Sequence, residues 1–133
     1  MVIAIGCDAT RAVTSDERAA LQQHEDQWAQ RSFHSYQFDY SETQLNTSYN
    51  VHVTVQDDTL ASVVDLQTGN APVVPRTWPT VDALFNEADY AVRQGGARFE
   101  FDEQYGYITL FSVQSNNPGG GFLARVSNLQ PLE

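Results

Sequence analysis

Lysine is absent from this 133-residue chain, so seven arginines are its only permanently charged cations. Against seventeen Asp and Glu they leave a formal net charge of -10. A surface of that sign repels phosphate backbones and anionic headgroups, which argues against nucleic acid as a partner. It is also an ordinary solubility device. Cysteine occurs once, at Cys7, so no internal disulfide can form and the usual marker of an oxidising compartment is silent. No apolar run approaches the ~20 residues needed to cross a bilayer, so any membrane link is expected through Cys7 alone. His24, His34 and His52 show no His-x-x-x-His spacing, and no Cys-x-x-Cys exists. Gly119-Gly120-Gly121 lacks the Lys and Ser/Thr of a phosphate loop, and no Gly-x-Ser-x-Gly elbow surrounds a serine. The sequence therefore implies no metal and no cofactor, and no motif assigns a catalytic residue.

What is present starts at the N-terminus. Ala4, Ile5, Gly6 and Cys7 fill the slots that end a bacterial lipoprotein signal, with Cys7 as the residue that receives the lipid. Only Met1 and Val2 precede Ile3, so residues 1–7 are read as the truncated end of such a signal. The alternative is a short apolar strand with a buried thiol, a common fate of free cysteine. Residues 8–14 are small and polar and read as a tether, which leaves 15–133 as one domain. A chain of this length can bury about two-thirds of its unfolded surface, enough for one hydrophobic core.

Thr14 and Glu17 have the spacing of a capping box, which predicts a helix from Asp16 to Arg31 with Ala20, Leu21, His24, Trp28 and Ala29 along one stripe. The period then becomes alternating. Tyr36, Phe38 and Tyr40 share one face of a strand, a polar loop spans 41–48, and Tyr49, Val51, Val53 and Val55 alternate through a second strand. Asp57-Asp58 stands where a tight turn belongs, before a return strand from Leu60 to Gln67 in which adjacent Val63 and Val64 suggest cover on both sides. Pro72, Pro75 and Pro79 punctuate an irregular crossing. Thr80 then caps a helix whose Val81, Leu84, Phe85, Ala88 and Val92 recur at the helical period, and Gly95-Gly96 ends it. Ala97 to Asp102 and Tyr107 to Val113 form a second hairpin around 103–106. After a loose loop through Gly121 the last strand runs from Phe122 to Val126, followed by a short tail from Ser127. The order predicts an α+β fold: a mostly antiparallel β-sheet of five or six strands with two helices packed on one face.

Trp28, Tyr36-Gln37-Phe38, Val51-His52-Val53-Thr54-Val55, Ser62-Val63, Thr80-Val81-Asp82-Ala83-Leu84-Phe85, Phe101-Asp102 and Tyr105-Gly106-Tyr107 together resemble the bacterial domain of unknown function 6174 family. The resemblance runs from about Trp28 to the C-terminus. It implies a small secreted or lipid-anchored protein and supplies no catalytic residues. Ile108 replaces the proline that family members usually have after Tyr-Gly-Tyr, and residues 41–48 lack the cysteine pair that many of them carry.

Two features retain chemical interest. Asp57-Asp58 and Asp102-Glu103 are carboxylate pairs that could serve as acid and base, although both sit at expected turns, where Asp caps the backbone. Tyr105 and Tyr107 could offer flat faces and hydroxyls to a ligand, or could simply pack around Gly106. The reading reached is a lipid-anchored cell-envelope protein on the periplasmic side, acting as a non-catalytic binding module for an unknown protein or small ligand. The alternatives are a small envelope hydrolase using His52, Asp102 and Glu103 on the exposed sheet face, and a soluble cytoplasmic domain.

Overall fold

The computed structural model describes residues 9–44, 47–74, 76–114 and 121–132, with side chains from Asp16 onward. Eight elements follow in order: α1 (Ala9–Ala29), β1 (Tyr36–Gln44), β2 (Thr47–Gln56), β3 (Thr59–Asp65), α2 (Val81–Gln94), β4 (Ala97–Phe101), β5 (Ile108–Val113) and β6 (Phe122–Pro131). The strands form one six-stranded sheet in the order β3-β2-β1-β6-β5-β4, and every pairing is antiparallel. The expected α+β architecture is the observed one. The C-terminal strand closes it, because β6 inserts between β1 and β5 and joins the two hairpins into a single sheet.

Side chains alternate across that sheet as the period of two requires. Tyr36, Phe38 and Tyr40 of β1 lie opposite Val55, Val53 and Val51 of β2, and all six are buried. They share one apolar cluster with Leu21 and Trp28 of α1 and with Val81, Leu84, Phe85, Ala88 and Val92 of α2. Each of the Val, Leu and Phe side chains among them contributes roughly 1.5–3 kcal/mol on burial. Trp28 sits at the junction, with the rings of Phe33, Tyr36 and Tyr107 edge-on at 5.8, 5.2 and 6.0 Å. The Arg31 guanidinium covers it at 3.9 Å.

The start of α2 is fixed by three side chains. Thr80 Oγ1 accepts from the Ala83 N–H, the Tyr36 hydroxyl accepts from the Val81 N–H, and Asp82 receives the Trp28 indole N–H. The first two satisfy helix-start donors that have no partner inside the helix. Gly95, at φ +85°, ends the helix as expected.

Several elements differ from the sequence reading. Helix α1 reaches back to Ala9, through most of the stretch read as a tether, and Thr14 lies inside it instead of capping it. Nothing from Ala9 to Ala29 breaks a helix: the segment has neither Gly nor Pro and is rich in alanine. Strands β1 and β2 continue through residues 41–44 and 47–48, read as loop, with pairing kept out to Gln44 and Thr47. Strand β3 is the sheet's edge, with Val63 opposite Val53 and Val64 opposite His52, and both valines are half-buried. Strand β6 continues to Pro131 because β1 supplies partners out to Tyr36, with a bulge between Gln37 and Asp39 that Asn128 accommodates at φ +56°. The Asp57-Asp58 turn is as expected, both residues having positive φ (49° and 62°).

Candidate functional site

The stripe that α2 buries leaves a neighbouring flank, Asn86, Glu87 and Tyr90, overhanging β5 and β6. There Phe111 and Phe122 rise from the helix-facing side of the sheet, their rings 5.3 Å apart and inclined at 70°. These five residues line a cleft of about 420 Å³. Phe111 is buried and forms the floor, Phe122 is half-buried, and Tyr90 is 68 % exposed, which is unusual for a large aromatic ring. The polar side chains of the lining, Asn86, Glu87 and Tyr90, all belong to α2.

Glu87 carries the cleft's charge. Although the residue is exposed, loss of solvation at its carboxyl and then the charge of Glu42 push its pKa up, with Arg76 opposing. The neighbouring Glu42 is itself exceptional, a carboxylate only 3 % exposed on the apolar face of β1. Arg76 grips it with two bonds, Nη1 to Oε2 at 2.7 Å and Nη2 to Oε1 at 3.0 Å, and the Tyr40 hydroxyl donates to Oε1 at 2.6 Å. Burial alone would raise the Glu42 pKa, but these bonds outweigh it and hold the carboxyl below its usual range. Burial and then the Glu42 bond drive the Tyr40 phenol well above its ordinary value. Arg76 also lies 4.4 Å from the Trp78 ring and 5.5 Å from that of Tyr49, so the pair anchors the Pro-rich crossing to the sheet.

On the opposite sheet face His52 Nδ1 lies 2.7 Å from Asp39 Oδ1, and its Nε2 lies 3.1 Å from Gln37 Oε1. Asn128 Nδ2 donates to the other Asp39 oxygen at 2.9 Å. Burial raises the Asp39 pKa, but the bonds from His52 and Asn128 prevail and lower it. Both imidazole nitrogens are thus engaged, and among the described residues no Ser or Thr hydroxyl bonds to either. Asp102 and Glu103 are far away in the sheet, at the end of β4, separated from β2 by β1, β6 and β5. The structure does not bring His52, Asp102 and Glu103 together.

Asp102 is a turn residue. Its Oδ2 accepts from the Gln104 and Tyr105 N–H groups at 3.0 and 2.7 Å. Gln27 of α1 clamps the turn by donating to the carbonyls of Glu103 and Gln104. Gly106 has φ +86°, and a Cβ there would stand 2.7 Å from the His24 carbonyl. The turn is thereby pressed under α1, where His24 also stacks on Phe101 at 3.9 Å. Tyr107 is 7 % exposed, and burial together with Asp102 pushes its phenol up to about 12. Tyr105 is half-buried, edge-on to Phe33 at 5.0 Å. Both tyrosines, proposed from sequence for binding, pack against the core. Asp58 likewise does more than turn the chain, pairing with Arg31 and with His34, the latter at 2.7 Å. Cys7, the expected lipidation site, lies outside the described residues, as do Gly119 and Gly120.

Among the described residues no group of three His, Cys, Asp or Glu is placed to hold a metal ion, and no helix is long and apolar enough to cross a membrane. Sequence reasoning missed the cleft because Phe111 and Phe122 lie in two separate expected strands with nothing to mark them as neighbours. The available signal was Tyr90, an aromatic residue off the buried stripe of α2.

The motif residues named above now have structural roles: Trp28 bonds Asp82, Tyr36 binds the first turn of α2, and Gly106 seats the β4–β5 turn. No curated protein and no solved structure matches the chain. The model of a family of unknown function, DUF6174, matches residues 20–130, and the chain belongs to that family.

Proposed function

We propose that this protein is a lipid-anchored, non-catalytic binding module of the bacterial cell envelope, and that the cleft beside α2 is its binding site. The observation that carries the binding role is the cleft itself: two phenylalanines and an exposed tyrosine frame a ligand-sized apolar hollow with polar groups on one rim. By contrast, the Asp39–His52 and Asp102 groups that could do chemistry are bound to one another or to backbone. The lipid anchor is supported by Ala4-Ile5-Gly6-Cys7 and by the family resemblance to small secreted proteins.

Fractionation and thermal denaturation test the two halves separately. Made in a bacterial host from its gene with the upstream coding sequence, the chain should be found in the membrane fraction with a lipid mass on Cys7, and Cys7→Ser should release it. An unmodified, soluble wild type contradicts the anchor. In a melting screen against small aromatic and aliphatic compounds, some should raise the Tm of the wild type and fail to raise that of Tyr90→Ala. No stabilising compound, or equal stabilisation of the variant, contradicts the binding role.

A further inference from the structure

We infer that the cleft takes a protonated amine with an aromatic or branched apolar body, the body lying on Phe111 and Phe122 and the ammonium meeting Glu87 beside the Tyr90 ring. This rests on the cleft being the binding site and adds the class of ligand. At about 420 Å³ the hollow lies within the range of small-molecule sites, ~300–1,000 Å³. The two phenylalanine rings give it an apolar floor, which a flat or branched hydrocarbon group would cover with loss of ordered water.

Charge decides what the other end of the ligand must be. Glu87 makes no ion pair among the described residues. The cation that acts on it, Arg76, is already committed to Glu42 by two bonds. Glu87 supplies the negative charge at the mouth, with Arg76 held by Glu42, within a chain of net charge -10. An ammonium offsets that charge, a hydroxyl leaves it unchanged, and a carboxylate adds to it. The exposed Tyr90 ring supplies a second attraction for a cation.

Three probes sharing one ring separate these outcomes when titrated into the full chain at pH 7 and followed by backbone amide shifts: 2-phenylethylamine, 2-phenylethanol and phenylacetate. The amine should bind about fivefold or more tightly than the alcohol, the scale of one partly solvated ion pair, and phenylacetate should be the weakest. Glu87→Gln should erase the preference, bringing the amine's affinity down to that of the alcohol measured on the same variant. Equal binding of amine and alcohol, or a preference that survives Glu87→Gln, overturns the amine assignment. If the alcohol still shifts the amides of Glu87, Tyr90, Phe111 and Phe122 in that event, the cleft stands as a binding site. If no probe shifts them, both fall.

Discussion

The Trp28 indole N–H donates to Asp82 Oδ1 at 2.9 Å, joining α1 to the first turn of α2 across 54 residues of sequence. Asp82 also suits the positive end of α2 and lies 4.0 Å from the Arg31 guanidinium that covers Trp28. Asp82→Ala leaves a buried donor without its partner and should lower stability by about 1–3 kcal/mol in denaturant titrations. Asp82→Asn, which keeps an acceptor, should lose less.

Gly106 and Gly69 both have positive φ, 86° and 75°, but only Gly106 is confined. Ala at 69 meets nothing within 4 Å and should cost about 1–2 kcal/mol, the left-handed penalty alone. Ala at 106 must also displace the His24 carbonyl and the Gln27 side chain. Its cost should exceed that of Gly69→Ala by at least ~1 kcal/mol. Equal melting temperatures for the two variants would show that the turn is not wedged under α1.

Glu42 makes stability depend on pH with a definite sign. Its folded pKa is depressed, so its ionised form supports the fold above the unfolded carboxylate pKa, and that support is lost as pH falls through the folded value. Arg76→Ala strands a buried carboxylate and should cost about 3–5 kcal/mol at neutral pH. The sign then reverses: without arginine, burial raises the Glu42 pKa, so the variant's deficit should shrink on acidification. Denaturant midpoints of both proteins from pH 2 to 8 read this directly.

Binding and folding separate at the cleft. Tyr90 is largely in water, and Tyr90→Ala should change stability by no more than about 0.5 kcal/mol. Phe111 is 3 % exposed and packs on Phe99 and Phe122, so Phe111→Ala should cost about 3–5 kcal/mol. Thermal melts of the two variants are the check.

The elements whose cause is local were legible in the sequence. Thr80, the stripe from Val81 to Val92 and Gly95 define α2 without outside help, and Val51, Val53 and Val55 announce their face of β2 by alternation. Elements whose cause lies elsewhere in the chain were not. Ser127 to Pro131 show no alternation, and their strand exists because β1 is there to pair with them. Glu42 breaks the apolar pattern of its strand and makes sense only with Arg76, which lies 34 residues away. The cleft follows the same rule: Glu87 and Tyr90 meet Phe111 and Phe122 only because β6 returns beside β5. His52 stood out as a histidine, but its partner is Asp39 on the neighbouring strand and not the acidic pair at Asp102.

The most direct measurement is the map of amide and aromatic shifts in the full-length chain as 2-phenylethanol is added. Binding in the cleft predicts saturable changes concentrated at Asn86, Glu87, Tyr90, Phe111 and Phe122, lost in Tyr90→Ala, with the His52–Asp39 face unmoved. Saturable changes at the His52–Asp39 face instead, or none anywhere, would contradict it.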